Sequence, residues 1–426
     1  MKTSWQVDSF NLDLTSLWNL TKGISLQSEH RTLFDTAWNN FKKKSDSSLI
    51  GFFDWPAHCP QNEFAKILSL SQTISKNFEG AICIGIGGSY LGPAALQEAL
   101  VSCSSASHFP VLWVSNADDG TLLRAKHFLK NRRAATVVIS KSGVTTETLA
   151  AWFHLSHELD PTGYVLITDP EKGELRRLSR TENWHSLAIP PNIGGRFSVL
   201  TSVGLFPLAL QGVDVQELIK GARAMREHLL ATSPQENPAV WFAYSKYLWD
   251  KQGHSIQYFM PYDSRLKLIG DWYVQLWAES LGKKRLDSGK SVGPNPVAAL
   301  GTSDQHSLLQ LFKEGPQTRI VGFLDLLDEQ SSSVSKPRFS SPSFEYLCSH
   351  SFSALNRLAS HSTQESLGNA QVPTYRITLK KLSPYHLGGL LFFLETACAI
   401  AGEIYGVNAF DQPGVEETKL LLRQKL

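Results

Sequence analysis

The chain has almost no excess of charge of either sign. Its 426 residues contain 41 Lys and Arg against 39 Asp and Glu, which gives a formal net charge of +2. Binding to nucleic acid or to a membrane surface depends on a field of one sign over a large area. The composition therefore predicts neither partner, and the basic runs Lys42–Lys44 and Lys283–Arg285 are interpreted as solvated faces.

Cysteine is scarce, and the five cysteines are scattered: Cys59, Cys83, Cys103, Cys348 and Cys398. An odd, scattered set does not form a disulfide framework, which favours a reducing compartment. The first residues, MKTSWQVDSFNLDL, lack the apolar core of a signal peptide. The most apolar window, Leu387–Gly402, is short for a membrane span and contains Glu395. A cytoplasmic protein is expected.

Motifs for nucleotides and metals are also missing. The chain has no Gly-x-x-x-x-Gly-Lys-Ser/Thr sequence, and Ala81–Leu96 lacks the third glycine of a dinucleotide motif. The pairs His154/His157 and Cys348/His350 have no further ligands at metal-binding spacing. We therefore expect neither a cofactor nor a metal ion.

Short apolar runs alternate with helical patterns over most of the chain, which is long enough for two or more domains. The predicted strands are Ala81–Ile86, Val111–Ser115, Thr136–Ser140, Tyr164–Thr168, Ser186–Ile189, Ile256–Met260, Arg319–Leu324 and Thr374–Leu379. This alternation is typical of α/β lobes with parallel sheets, whose ligands bind at the carboxyl ends of the strands. We expect an N-terminal helical or extended segment (1–45), two lobes (46–210 and 211–405) and a C-terminal helical tail (406–426).

Two polar loops follow predicted strands and suit a phosphate. The run Ala81–Ile86 breaks into Gly87-Gly88-Ser89 before a helical segment, so backbone N–H groups and a helix N-terminus can face an anion. The alternative is a glycine turn that only reverses the chain. The second loop, KSGVTTET, places several hydroxyls near a helix start. Its alternative is a helix-capping cluster.

One predicted helix carries a candidate base. Ser264–Leu281 has an apolar stripe at helical spacing, and Gln275 and Glu279 lie four residues apart on a neighbouring face. A carboxylate beside aromatic residues is partly desolvated and becomes a better base. The alternative is an ordinary surface carboxylate.

Three basic residues are further candidates. Arg196 follows two glycines, so its guanidinium can be aimed into a cleft to meet substrate charge. His306 lies where a polar loop becomes an apolar helix, and its alternative role is capping or packing. Lys419 lies in the final helix, where a solvated lysine is the default.

Six motifs, taken together and in order, resemble the glucose-6-phosphate isomerase family. They are GIGGSYLGP (85–93), SKSGVTTET (140–148), GGRFSVLTSVG (194–204), WAESLGK (277–283), GTSDQH (301–306) and FDQPGVEETK (410–419). The length is similar to that of the compact bacterial form. The resemblance implies an α/β fold of two doubly wound sugar-isomerase (SIS-type) lobes with parallel sheets, helical connections and a C-terminal helix. It also implies a homodimer with shared active sites, a sugar phosphate as substrate, and no cofactor.

The resemblance further implies roles for individual residues. The implied phosphate pocket contains Gly88, Ser89, Ser140, Lys141, Ser142, Thr145 and Gln412, with Gln275 close by. Glu279 matches the proton-transferring base, and Arg196 matches the residue that faces the enediolate. His306 and Lys419 match the pair linked to opening of the sugar ring.

Two departures from the family pattern affect these expectations. Val144 stands where many bacterial relatives carry Thr, and Pro191 stands where the family often has an acidic or polar residue. The first removes a hydroxyl from the phosphate loop, and the second alters the loop before Arg196. Two other functions stay open at this point: a non-catalytic sugar-phosphate regulator, and an isomerase that also accepts mannose 6-phosphate.

Overall fold

The computed structural model of the protein describes residues 2–21, 28–101, 109–327 and 331–425. Cys103 lies outside these residues. The chain forms two compact units, which we call the central unit (Lys44–Arg223) and the terminal unit (residues 1–43 and 224–426). The boundary after Arg223 falls inside a helix.

The two units are built from short strands and longer helices. The strands are β1 (Ser4–Gln6), β2 (Phe10–Asp13), β3 (Gly80–Ile84), β4 (Val111–Val114), β5 (Ala134–Ile139), β6 (Tyr164–Thr168), β7 (His185–Ala188), β8 (Ile256–Pro261), β9 (Lys283–Lys284), β10 (Ser291–Val292), β11 (Asn295–Ala298), β12 (Arg319–Leu326) and β13 (Thr374–Leu379). The helices are α1 (Thr15–Asn19), α2 (Ser28–Asp46), α3 (Trp55–His58), α4 (Gln61–Asn77), α5 (Leu91–Leu100), α6 (Asp119–Lys130), α7 (Thr146–Leu155), α8 (Glu174–Thr181), α9 (Ser202–Leu210), α10 (Val215–Ala231), α11 (Pro238–Lys251), α12 (Lys267–Leu281), α13 (Gln305–Glu314), α14 (Phe352–Asn369), α15 (Pro384–Tyr405) and α16 (Glu416–Lys425).

The central unit contains a five-stranded parallel sheet in the order β4-β3-β5-β6-β7. Every residue of β3, β5 and β6 is buried, as expected for parallel strands covered by helices on both faces. Because β3 and β5 are neighbours, the loops that follow them lie at the same edge of the sheet.

The terminal unit contains a six-stranded sheet in the order β1-β2-β13-β12-β8-β11. Four of these strands, β13-β12-β8-β11, are mutually parallel, and their order in the sheet repeats that of the first four strands of the central unit when each set is numbered along the chain. The expected doubly wound parallel architecture is therefore confirmed in both units.

The first strands of the chain extend the sheet of the terminal unit. β2 runs antiparallel to β13, and β1 runs antiparallel to β2. The ring of Phe10 on β2 packs against Phe393 with a centroid distance of 4.8 Å. Residues 1–43 thus join the second lobe, whereas the sequence-based boundaries treated residues 1–45 as a separate segment. This pairing joins residues more than 350 positions apart, which no local pattern reports.

All eight predicted strands are present, with ends that differ by at most two residues. The unpredicted strands are β1, β2, β9, β10 and β11, which are only two to four residues long. Such short segments carry no periodicity of their own, so pairing with a neighbouring strand defines them.

One helix, Pro384–Tyr405, is long and apolar enough to cross a membrane by its length and composition alone. Within the terminal unit, 94% of its most apolar window is buried. A core helix of a soluble protein meets the same criterion.

Candidate active site

The turn after β3 brings two loops of the central unit into backbone contact. Gly87–Ser89 forms a single 3-10 turn, and Gly87 has a φ of +57°, a conformation that favours glycine. A Cβ atom added to Gly88 would lie 2.2 Å from the carbonyl carbon of Gly195. Gly88 therefore allows the turn to touch the segment that carries Arg196.

Arg196 is held inside the central unit. It lies in a 3-10 turn, Gly195–Phe197, and is only 3% exposed. The guanidinium carbon is 5.5 Å from the centroid of the Phe197 ring. Arg196 thus carries a buried positive side chain on the segment whose backbone contacts the Gly88 turn.

The loop after β5 clusters hydroxyl groups. The Ser140 and Thr145 hydroxyl oxygens are 2.8 Å apart, and the Gly143 N–H donates to Ser140 Oγ over 3.1 Å. Thr145 occupies the N-cap position of α7, but its side chain makes no capping hydrogen bond. The Ser142 hydroxyl accepts from the N–H of Val144, whose side chain is 41% exposed. The capping alternative therefore does not explain why Thr145 is present.

Lys141 does not extend from this loop into open solvent. Its Nζ atom donates to the carbonyl oxygens of Pro191 (2.7 Å) and Ile193 (2.8 Å). Burial lowers the pKa of the Lys141 ammonium, and the charge of Asp169 partly opposes this shift. Pro191, a departure from the family pattern, thus supplies a backbone acceptor for Lys141.

The predicted helix with the candidate base is α12 in the terminal unit. Its apolar stripe is buried at Ile269, Trp272, Tyr273, Leu276 and Trp277. Gln275 and Glu279 are both half-buried, and Gln275 Nε2 donates to Glu279 Oε2 over 3.2 Å. The buried stripe fixes the helix, so the carboxylate is carried by a rigid element and oriented by an amide.

Glu279 lines an open cleft of about 670 Å³ in the terminal unit. Gln412 lines the same cleft, together with residues 282–284, 286, 291–292, 408, 411 and 413–415. The structure therefore brings Glu279 and Gln412 to one cavity, with Gln275 hydrogen-bonded to Glu279.

Lys283 was predicted to lie in a solvated basic run, but the structure buries it at the wall of this cleft. The side chain is only 8% exposed, and Nζ donates to the carbonyl oxygens of Asn408 and Asp411, each at 2.5 Å. Nζ also lies 2.7 Å from Asp411 Oδ1. The interpretation as a solvated residue is wrong because the segment 408–411, far along the chain, covers this lysine. Its position directly after the Gly282 C-cap, inside the WAESLGK motif, was the available signal.

His306 and Lys419 lie on exposed surfaces of the terminal unit. His306 is in the first turn of α13, and its side chain is exposed, which argues against a packing role. Lys419 is 55% exposed and pairs with Glu416 at 2.7 Å along α16. No hydrogen bond joins His306 to Lys419 in the described part of the chain. The described residues also contain no group of three or more His, Cys, Asp or Glu side chains placed to hold a metal ion.

Comparison with known proteins gives one consistent result. The family model for phosphoglucose isomerase matches residues 69–425. A glucose-6-phosphate isomerase of Carboxydothermus hydrogenoformans is 36% identical, over 92% of this chain and 88% of that protein. A glucose-6-phosphate isomerase of Thermus thermophilus is 34% identical, over 94% of this chain and 96% of that protein.

Two solved structures have the same fold over nearly the whole length of this chain. A hypothetical protein of Thermus thermophilus superposes with a TM-score of 0.88 at 31% identity, covering 98% of this chain and 99% of that one. A glucose-6-phosphate isomerase of Chlamydia trachomatis has a TM-score of 0.80 at 22% identity, over 99% and 89% of the two chains, and supports the fold alone. With the family model covering most of its length, this chain belongs to the phosphoglucose isomerase family.

Proposed function

We propose that this chain catalyses the reversible isomerisation of glucose 6-phosphate to fructose 6-phosphate, a step of glycolysis and gluconeogenesis. The observation that carries the proposal is the Gln275–Glu279 pair, a half-buried carboxylate held by an amide on a rigid helix at the wall of an open cleft. Membership of the phosphoglucose isomerase family supports the same reaction. The curated relatives bear the name of an enzyme, which disfavours a non-catalytic sugar-phosphate regulator.

Glu279 is the base in this proposal. Interconversion of an aldose and a ketose moves a proton between C2 and C1 through a cis-enediol. One carboxylate on one face of the sugar removes the proton from C2 and returns it to C1, while a second proton passes from the C2 oxygen to the C1 oxygen, so no net oxidation occurs. The enediolate oxygen becomes negative during this step, and the guanidinium of Arg196 would stabilise it.

The phosphate group of the substrate provides binding energy away from the reacting carbons. We assign its recognition to Gly88, Ser89, Ser140, Ser142 and Thr145. The adjacent hydroxyls of Ser140 and Thr145, at a helix N-terminus, support this assignment. Gln275 and Gln412 would contact the sugar phosphate from the cleft beside Glu279.

Opening of the pyranose ring requires a proton at the ring oxygen, for which His306 and Lys419 are the proposed residues. We propose further that the enzyme is a homodimer in which His306 serves the active site of the partner subunit. The exposure of His306, and of three consecutive leucines on α16, supports an interface with a second copy. A cytoplasmic location is proposed because the described cysteines, Cys59, Cys83, Cys348 and Cys398, are all free thiols.

The reaction is tested by incubating the purified protein with fructose 6-phosphate and measuring glucose 6-phosphate. The variant Glu279→Gln keeps the shape of the side chain but cannot accept the proton, so kcat should fall by about 100-fold or more. The matched control is Glu365→Gln, at an exposed carboxylate on α14, which should leave kcat unchanged. Wild-type protein without activity would refute the function, whereas an active Glu279→Gln variant would refute only the assignment of the base.

The homodimer is tested by mixing two inactive variants, Glu279→Gln and His306→Asn. If His306 acts across the interface, one site of each mixed dimer contains an intact Glu279 and the partner's intact His306. Co-refolding should then restore part of the wild-type rate. Mixed dimers that form but stay inactive would show that His306 serves its own subunit or is not catalytic.

A further inference from the structure

Lys141 lies in the loop proposed to bind phosphate, but its ammonium group already donates hydrogen bonds to other residues of the protein. Nζ donates to two carbonyl oxygens, of Pro191 at 2.7 Å and of Ile193 at 2.8 Å. An ammonium group has three N–H donors, so two of the three are used within the central unit. These acceptors lie five and three residues before Arg196.

The segment Pro191–Gly195, which we call the arginine loop, has further contacts within the central unit, among them the side chain of Ile193, which is only 1% exposed. The N–H of Gly51 donates to Asn192 O over 2.9 Å, and Asn192 Nδ2 donates to Ser48 O over 3.1 Å. At its far end, Gly195 is in backbone contact with Gly88. The two bonds of Lys141 are made by a charged group, and charge-assisted hydrogen bonds are stronger than neutral ones. Removal of the ammonium would therefore loosen the loop at the carbonyl groups of Pro191 and Ile193.

We propose that Lys141 is a positioning residue, which fixes the arginine loop and through it Arg196, instead of a ligand of the substrate phosphate. The inference rests on the proposed function for its catalytic consequence. Arg196 is 3% exposed, so its packed side chain has little room to compensate for a shift of its own backbone. The hydrogen bonds of Lys141 to the carbonyl groups of Pro191 and Ile193 therefore help to fix the position of the Arg196 guanidinium. The half-buried position of Lys141, which lowers its pKa, is consistent with a structural cation rather than a freely solvated one.

The test replaces Lys141 with Met, which keeps the aliphatic stem and removes the charge and all three donors. A positioning role predicts that kcat falls by about 10- to 100-fold, because small misplacements of a group at the reacting atoms have effects of this size. The inhibition constant of inorganic phosphate should stay within twofold of the wild-type value. A phosphate ligand would instead raise that constant tenfold or more, and this result would overturn the proposal.

A double-mutant cycle separates an effect through Arg196 from a general one. In an Arg196→Lys background, the additional loss of kcat from Lys141→Met should be less than threefold, since the group that Lys141 positions is already altered. If Lys141→Met lowers kcat by the same factor in the Arg196→Lys background as in the wild type, the proposal is contradicted. Lys130→Met, at an exposed lysine on α6 of the same unit, is the control and should change neither constant.

Hydrogen exchange tests, independently of catalysis, whether the hydrogen bonds of Lys141 stabilise the arginine loop. Amides of residues 192–197 should exchange faster in Lys141→Met than in the wild type, and unchanged exchange would overturn the proposal. If the wild-type protein lacks isomerase activity, the proposed function is refuted, but the exchange result still shows whether Lys141 fixes the arginine loop. Should Lys141→Met fail to fold, Lys141→Arg is measured in the same way. Lower kcat with unchanged phosphate inhibition supports positioning, and weaker phosphate inhibition overturns it.

Discussion

Replacement of Gly88 with alanine would place a methyl group inside a contact between two backbone segments. The new Cβ would lie 2.2 Å from the carbonyl carbon of Gly195, 2.3 Å from its oxygen and 2.7 Å from the nitrogen of Arg196. Ordinary van der Waals contact begins at 3.4 Å, so the two turns would have to separate by about 1.2 Å. All three neighbours are backbone atoms, and no side-chain rotation can relieve the overlap.

The consequence should appear in both activity and stability. A displacement of about 1 Å at a catalytic group can lower the rate about 100-fold, so kcat/KM for fructose 6-phosphate should fall by this order. Overpacking of this kind costs about 1–3 kcal/mol in free energy of unfolding. A coupled assay of glucose 6-phosphate formation measures kcat/KM, and urea unfolding measures the free energy of unfolding.

The matched control lies in the same contact. A Cβ added to Gly195 would meet its nearest neighbour, the Cα of Gly88, at 3.9 Å, and Gly195 has no positive φ. Gly195→Ala should therefore change the free energy of unfolding by less than about 0.5 kcal/mol. If Gly88→Ala keeps wild-type stability and kcat/KM within threefold, the steric reasoning is refuted.

Other parts of the structure lead to four more predictions. The double variant Ser140→Ala, Thr145→Ala should raise KM about tenfold with little change in kcat, because ground-state contacts to phosphate are lost. Lys283→Met removes the charged donor that holds Asp411 and should lower the free energy of unfolding by about 2 kcal/mol, measured in urea. Burial raises the pKa of Glu395 well above its usual 4.5, so the folded state keeps a proton that the unfolded state releases. The stabilisation from Glu395→Gln should therefore grow as pH rises above 4.5, by at most about 1.4 kcal/mol per pH unit. Isomerase activity should survive exhaustive chelation.

Each of these has an outcome that contradicts it. An unchanged KM together with no competition by inorganic phosphate would move the phosphate site away from Ser140 and Thr145. A Lys283→Met variant as stable as wild type would show that the bonds to the 408–411 segment are replaced by water. A constant stability difference for Glu395→Gln between about pH 5 and pH 8 would show that the buried carboxyl is ionised. Restoration of chelated enzyme by one divalent ion would require a different mechanism.

The local sequence was sufficient for several elements that carry candidate residues. Buried parallel strands such as β3 and β5 are short apolar runs followed by glycine or serine, so their positions can be located to within two residues from the local sequence. The apolar stripe of α12 likewise predicted which face is buried, and so placed Gln275 and Glu279 on a neighbouring face. These features depend on residues close together in the chain.

Three other features depend on contacts between distant residues. β2 pairs with β13 across more than 350 positions, Lys283 reaches Asp411 across 128, and Lys141 reaches Ile193 across 52. A lysine in a polar loop has the same local pattern whether it is solvated, binds phosphate or bonds to carbonyl groups. The sequence by itself determined the eight predicted strands, the helix α12 and the candidate residues other than Lys283, because periodicity and turn residues act locally. Only the tertiary structure decided which carbonyl groups each buried ammonium meets, because hydrogen-bond partners depend on the folded path of the whole chain.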